Sequence, residues 1–259
     1  MTAATRKAYG QHFLADPNIL RVAERLAALD ADDVVLEVGP GLGVLTVFLA
    51  DRVRLVHAVE IDRSLAPQLE AALAGRENVD LVWGDALRVD LARLEPAPRK
   101  LVANLPYNIA TPLVVESLSA LPLLDSWCVM VQREVADRFF AEPGTKAYGA
   151  VSVLVQFAAE RTGFHPVSRH VFRPEPGVDS ALVAFRRIPL AGDFAEIKAV
   201  VEAGFSHRRK TLPNALQLAG VADRGRGVAA LAAIGREPAV RAEMLSPPEF
   251  AMLAEALRR

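Results

Sequence analysis

The chain has 259 residues, 52% of them hydrophobic and 24% charged, the profile of a soluble globular protein of one large or two modest domains. Its 30 Lys/Arg against 31 Asp/Glu leave a net charge of −1, so bulk charge does not mark a nucleic-acid binder and any polyanion contact must be local. A single cysteine excludes an intrachain disulfide or a cysteine metal cluster. With no apolar run long enough for a bilayer and no apolar stretch at the N-terminus, a cytoplasmic, non-membrane, metal-free protein is expected.

In chain order, residues 1–15 form a basic, aromatic lead-in with no helical period. Asp16-Pro17 then reads as an N-cap with proline at the first helical position, before a helix whose apolar face is Ile19, Leu20, Val22, Ala23, Leu26 and Ala27. Val34–Val38 is a first strand, broken by Gly39-Pro40-Gly41-Leu42-Gly43 before a helix from Val44. A second strand, Leu55–Val59, ends in Glu60. A polar-faced helix covers 63–75, and a third strand, Val79–Trp83, ends in Gly84-Asp85. The fourth strand, Leu101–Ala103, runs into Asn104-Leu105-Pro106-Tyr107, and a helix starts near Thr111-Pro112. The fifth strand is at 127–132, followed by a helix through Phe140. Strands alternating with helices at this spacing predict a parallel sheet wound on both faces.

Beyond Pro143-Gly144, residues 147–160 read as an apolar helix, and Ser180–Phe185 as a strand at the sheet edge paired with one near 161–167. Arg173-Pro174-Glu175-Pro176-Gly177 reads as a polar loop leading into the Ser180–Phe185 strand, and His165 and His170 read as loop residues. From Phe194 onward the text is rich in Ala, Leu and Arg and is helical throughout. The expected boundary is therefore at about 190, giving a domain over 1–189 and a helical one over 190–259. Residues 188–259 hold ten Lys/Arg and eight Asp/Glu, a net of +2 against −3 for the remainder.

The glycines at 39, 41 and 43 after a buried strand require backbone to pass close to something. The dinucleotide fingerprint G-x-G-x-x-G fails, because its last glycine would be position 44, a valine. A ligand without phosphates is therefore expected. Glu60 is placed to accept both hydroxyls of a ribose, and Asp85 to accept from an adenine amino group. An adenosine with an unphosphorylated 5′ arm fits, and S-adenosyl-L-methionine is the common cofactor of that shape. Either acid can alternatively be read as a solvated helix cap.

Asn104-Leu105-Pro106-Tyr107 offers an amide, a backbone carbonyl, a proline that sets the bend and an aromatic plane. An aromatic amino group held in a flat slot needs two acceptors and a ring to stack on. Asn104 and the Leu105 carbonyl would accept the two hydrogens of such an amino group, although a plain strand-to-helix turn with a packed tyrosine is the alternative. The nitrogen lone pair would then be free to attack a sulfonium methyl. His57, inside an apolar strand, reads as a hydrogen-bonded core residue.

Glu37-Val38-Gly39-Pro40-Gly41-Leu42-Gly43, Glu60-Ile61-Asp62, Gly84-Asp85-Ala86 and Asn104 to Ile109 together resemble the ribosomal RNA adenine dimethyltransferase family. The similarity extends over essentially the whole chain. It includes Tyr9 to Leu14, Lys146 to Gly149, Phe172-Arg173-Pro174, Val178-Asp179-Ser180, and Arg208-Arg209-Lys210-Thr211-Leu212 with Asn214-Ala215-Leu216. His12 stands where many relatives have asparagine, and Ala103 where many have glycine or serine. The resemblance implies a Rossmann-like class I S-adenosylmethionine-dependent methyltransferase sheet with a small C-terminal all-helical domain. It implies cofactor contacts from Gln11, His12, Leu14, Gly39, Gly41, Glu60, Ile61, Asp85, Ala86 and Asn104. A catalytic turn of Asn104, Leu105, Pro106 and Tyr107 follows from it, with Phe172 stacking on the adenine face opposite Tyr107. Its bacterial branch dimethylates two adjacent adenines near the 3′ end of small-subunit ribosomal RNA during small-subunit assembly. A monomer acting on that RNA is the corresponding expectation.

Arg208, Arg209 and Lys210 cannot share one helix face and by themselves read as a solvated charge run; the resemblance implies instead a loop or helix start presenting them to phosphate. Arg6, Lys7, Arg133, Arg169 and Arg173 are weaker candidates for the same role. Two alternatives stay open. One is the related resistance methyltransferase of large-subunit RNA, which usually has isoleucine at the position of Leu105. The other is an assembly factor that keeps the fold without catalysis.

Overall fold

The computed structural model describes residues 13–14 and 16–258. In chain order the strands are β1 (Phe13–Leu14), β2 (Val34–Val38), β3 (Leu55–Glu60), β4 (Val79–Trp83), β5 (Lys100–Asn104), β6 (Ser126–Gln132), β7 (Ala159–Val167), β8 (Phe172–Arg173) and β9 (Ser180–Arg187). The helices are α1 (Pro17–Ala27), α2 (Val44–Ala50), α3 (Ala66–Leu73), α4 (Ala110–Ala120), α5 (Arg133–Phe139), α6 (Ala150–Ala158), α7 (Phe194–Ser206), α8 (Leu212–Leu218), α9 (Arg224–Ala233) and α10 (Pro247–Arg258).

Among the described residues, one seven-stranded sheet runs in the order β4-β3-β2-β5-β6-β9-β7. The pairs β2 with β3, β2 with β5, β3 with β4 and β5 with β6 are parallel, whereas β6 and β9 are antiparallel. All five residues of β2 are buried. Coverage on both faces is why these central strands read as largely apolar runs rather than as alternation, with Glu37 and His57 as the polar interruptions in β2 and β3. The strand order reverses between β2 and β5, and open α/β sheets place their ligand sites beyond the carboxyl ends of strands at such a point.

The loops at that end are held by continuations of the strand ladders. Gly39 N–H donates to the Val59 carbonyl at 2.9 Å, Gly84 N–H to the Glu60 carbonyl at 2.8 Å, and Leu105 N–H to the Met130 carbonyl at 3.0 Å. At the entry to α1, Asp16 Oδ1 accepts from Asn18 N–H at 2.8 Å, with Pro17 opening the helix as expected. His57 is fully buried; its Nε2 donates to the Pro96 carbonyl at 2.9 Å and its Nδ1 lies 3.0 Å from Asp80 Oδ2. It is thus the hydrogen-bonded core residue its setting suggested.

The far end of α4 carries an interaction the sequence did not announce. Arg187, on β9, donates to the carbonyls of Leu124, Leu118 and Leu121 at 2.7, 2.9 and 3.0 Å. Its guanidinium also sits 5.1 Å from the centre of the Trp127 ring. A cation there complements the orphan carbonyls at a helix C-terminus. Arg187→Ala should lower stability by about 2–4 kcal/mol, since several carbonyls lose a charged donor together. Chemical denaturation would check this, and a loss below about 0.5 kcal/mol would show that water substitutes for the guanidinium.

The chain divides into two compact units, one of residues 1–136 with 161–187, the other of 137–160 with 188–259. The second junction lies beside the boundary expected near 190. Residues 137–160, however, group with the helical unit, so that unit is assembled from two stretches of chain. Within it, the Phe205 ring lies 6.1 Å from that of Tyr148 and 5.9 Å from that of Phe250. Tyr148 Oη donates to the Leu245 carbonyl at 2.7 Å, a bond that ties residues 137–160 to the C-terminal stretch. Glu249 caps α10 by accepting from Ser246 N–H and Oγ, and its hydrogen bond from Arg236 pulls its carboxyl down to about 2.

Two local expectations need correction. His165 is not in a loop but within β7, because that strand extends over nine residues. The lead-in and the Phe172-Arg173 stretch also contribute a two-stranded antiparallel pair, with Phe13 opposite Arg173 and Leu14 opposite Phe172. Two-residue strands carry no periodicity, so no pattern predicted them.

Candidate active site

A cavity of about 280 Å³ opens at the switch point, walled by the glycine loop, the ends of β3 and β4, and the turn after β5. It brings together Leu14, Gly39, Gly41, Glu60, Ile61, Asp85, Ala86, Asn104, Leu105, Pro106 and Tyr107, all of which the sequence singled out. Gln11 and His12 lie outside the described residues.

The glycines carry the geometry. Gly39, Gly41 and Gly43 have φ of +76°, +60° and +82°, left-handed values that side chains disfavour. A Cβ on Gly39 would meet Pro106 Cδ and Cγ at 3.1 Å, and one on Gly41 would meet Phe13 Cε1 at 2.9 Å. The loop therefore passes tight against the Asn104 turn on one side and the β1 aromatic on the other.

Glu60 is 4% exposed. Its Oε2 accepts from Gly41 N–H at 3.0 Å and its Oε1 from Asp62 N–H at 2.8 Å. Burial raises its pKa, and the backbone amides of Asp62, Gly41 and Ile61 oppose that rise. A carboxylate has room for about four hydrogen bonds, so both oxygens retain capacity toward the cavity. Asp85 is also bound locally: its Oδ1 accepts from Leu87 N–H at 3.0 Å, and Arg88 lies 3.5 Å from Oδ2. Its carboxylate thus caps its own turn while lining the cavity.

Glu37 is a third acid on the wall, at a strand position to which the sequence pattern assigns no role. It is 1% exposed, and among the described residues neither its Oε2 nor the neighbouring Thr46 Oγ1 has a hydrogen-bond partner. Burial pushes its carboxyl up to about 8; Thr46 moderates the rise and Glu60 adds to it. Its signal was a charge inside an otherwise apolar run, a pattern that a buried strand rarely tolerates without reason.

The wall residues decide what the cavity accepts. They include three acids, Glu37, Glu60 and Asp85, and no lysine, arginine or histidine among the described residues. Such a lining repels a pyrophosphate and suits a cationic ligand with sugar hydroxyls and an apolar plane. S-adenosyl-L-methionine, with its sulfonium and ammonium groups, fits on that ground.

In the turn after β5, Leu105 is buried, and among the described residues no backbone amide donates to its carbonyl. Pro106 accepts from Ile109 and Ala110 N–H, both at 3.1 Å, which starts α4 directly behind the turn. Tyr107 is half-buried with its Oη 2.8 Å from Ser180 Oγ, and burial raises its pKa. Phe172 is placed differently from expectation. It is fully buried in the hydrophobic core with Leu14, Met130 and Leu182, and it is not among the residues walling the cavity. The physical reason is its pairing in β8 against Leu14, which turns the ring inward.

The profile of the family described as ribosomal RNA adenine dimethylase matches residues 2–241. The chain belongs to this family. The ribosomal RNA small subunit methyltransferase A of Rubrobacter xylanophilus is 48% identical over 253 residues, covering 97% of this chain and 95% of the relative. Among solved structures, a dimethyladenosine transferase from Plasmodium falciparum superposes with a TM-score of 0.78 at 25% identity, covering 93% of this chain and 96% of that one. The 23S rRNA methyltransferase ErmE gives 0.70 at 30% identity over 95% and 100% of the two chains. The sheet of this dimethylase-family member is accordingly that of the class I S-adenosylmethionine-dependent methyltransferases.

In the helical unit, Arg208, Arg209 and Lys210 are exposed in the turn between α7 and α8, closed by Lys210 N–H donating to the His207 carbonyl at 2.8 Å. Arg208 also donates to the Tyr148 carbonyl at 3.1 Å and lies 3.7 Å from Glu243. Of the weaker cation candidates, Arg169 pairs with Glu175 at 3.0 Å, Arg173 donates to the His170 and Phe172 carbonyls, and Arg133 lies over the Phe164 ring. Arg6 and Lys7 lie outside the described residues. Among the described residues no group of three or more His, Cys, Asp or Glu is arranged to hold a metal ion, and no helix is long and apolar enough to cross a membrane.

Proposed function

We propose that this protein methylates the N6 atoms of two adjacent adenines near the 3′ end of small-subunit ribosomal RNA, giving N6,N6-dimethyladenosine, and that it acts on an assembling small subunit in the cytoplasm as a monomer. Family membership carries the reaction class. The observation in the molecule that supports it best is the junction of the Asn104 turn with a largely apolar cavity whose charged wall residues, among those described, are all acids.

S-adenosylmethionine supplies an electrophilic methyl group on a sulfonium. Glu60, oriented by two backbone amides, holds the ribose hydroxyls, while Asp85 and the Ala86 backbone face the adenine ring of the cofactor. Ile61 offers an exposed apolar surface for that ring, being 44% exposed. On the substrate side, the Asn104 side-chain oxygen and the Leu105 carbonyl accept the amino hydrogens of the target adenine. Withdrawing those hydrogens from the ring plane favours a pyramidal nitrogen with its lone pair available, and Tyr107 stacks on the base. Base–aromatic stacking is worth about 1–3 kcal/mol. With its ring in the core, Phe172 supports the slot through the β1–β8 pair, and it reaches the base only if that pair opens. Arg208, Arg209 and Lys210 supply phosphate contacts.

The test is transfer of labelled methyl from S-adenosylmethionine to small subunits lacking the modification, with large subunits and free ribosomal RNA in parallel. Dimethyladenosine from small subunits is the expected product. Label confined to large-subunit RNA would move the chain to the ErmE-like activity. Tight subunit binding with no transfer would leave an assembly factor.

A further inference from the structure

The Asn104 turn is gripped from two sides. On one side the Pro106 ring fills the space that a Cβ on Gly39 would need. On the other, Tyr107 Oη meets Ser180 Oγ at 2.8 Å. Ser180 is fully buried and opens β9 opposite Gln132 of β6. Its surroundings are themselves fixed: Arg133 N–H donates to the Asp179 carbonyl at 3.0 Å, and Asp179 Oδ1 accepts from Arg169 N–H at 2.9 Å. β6 separates β5 from β9 in the sheet. The hydroxyl pair therefore ties the reacting turn to a strand two places away, and the Tyr107 ring takes its tilt from β9.

We infer that Ser180 is a positioning residue that sets the plane of Tyr107 and, through it, the ability of the slot to carry an adenine through the second methylation. The inference rests on the proposed function. An unmodified adenine is oriented by two amino hydrogens on two acceptors as well as by stacking. A once-methylated adenine has one amino hydrogen left, so the ring plane carries a larger share of its orientation. A tyrosine free to tilt costs the second transfer more than the first. A fully buried serine hydroxyl whose only described partner is the tyrosine is suited to this task, because a buried hydroxyl holds tightly to the one partner within its reach.

The experiment compares the wild type with Ser180→Ala, Tyr107→Phe and the double variant, measuring single-turnover rates of each transfer on unmodified small subunits together with cofactor affinity. Each single variant should bind S-adenosylmethionine as the wild type does. Its second transfer should fall roughly three- to tenfold further than the first, so that monomethyladenosine accumulates. The double variant should be no worse than the poorer single variant, because both remove the same bond. Equal slowing of both transfers, or effects that multiply in the double variant, would overturn the inference. A loss confined to thermal stability would do so too. A wild type that yields no dimethyladenosine from any substrate defeats the proposed function itself, and this inference with it.

Discussion

Asn104→Ala should lower the rate of methyl transfer to small subunits by roughly 10²–10³-fold while leaving S-adenosylmethionine affinity within about threefold of wild type. The residue ends β5, where its backbone is held in register with Met130. The next residue is clamped by its own bond to the Met130 carbonyl. Truncation at Cβ therefore removes the amide without releasing the turn. Most of the effect should come from positioning: the exocyclic nitrogen of adenine is a weak nucleophile because its lone pair is delocalised into the ring. An acceptor that draws one hydrogen aside acts most strongly as the nitrogen becomes tetrahedral. Asn104→Asp keeps an acceptor oxygen in place and should retain a larger share of activity. Single-turnover kinetics with saturating cofactor, beside calorimetric cofactor binding, separates the two roles. An equal loss of cofactor affinity in Asn104→Ala would assign the side chain to the cofactor instead of the base.

The sheet and its ligand end were legible because four parallel strands, each largely apolar, stop at a residue with chemical work to do: Gly39, Glu60, Asp85, Asn104. Failure of the dinucleotide pattern at Val44 was equally readable, and it agrees with a cavity wall that holds three acids and no cation among the described residues. What escaped was whatever depended on distant partners. Arg187 caps carbonyls 63 to 69 residues away, and nothing near it in the chain announces that. Residues 147–160 read as an apolar helix, a pattern that says nothing about which unit the helix joins. Phe172 stood in a motif next to Arg173-Pro174 and was read as a stacking ring, yet its pairing opposite Leu14 places it in the core. Glu37 was legible in principle, since a carboxylate within Val34–Val38 has to be paid for somewhere.

Glu37 supplies the second large effect. Its carboxyl ionises at about 8 in the folded protein against an ordinary 4.5. Below about 4.5 both folded and unfolded chains carry the proton, and this group adds no pH dependence. Between those values the unfolded chain has released the proton and the folded one retains it, so rising pH favours unfolding. Above about 8 both are ionised and the loss is complete. The span of 8 − 4.5 = 3.5 pH units corresponds to at most about 5 kcal/mol at about 1.4 kcal/mol per unit. Glu37→Gln stays neutral throughout and should flatten the decline that this group contributes. Urea unfolding from pH 5 to 9 measures the difference, and a gap between the two proteins that does not change with pH would show that Glu37 is ionised in the folded state. Cofactor should alter the wild-type profile in a defined direction. A cation bound beside an acid favours its ionised form, so saturating S-adenosylmethionine should shift the transition at Glu37 to lower pH. S-adenosylhomocysteine, which lacks the sulfonium charge, should shift it less. The same buried acid that weakens the ligand-free protein at high pH would thus favour the charged methyl donor over its spent product.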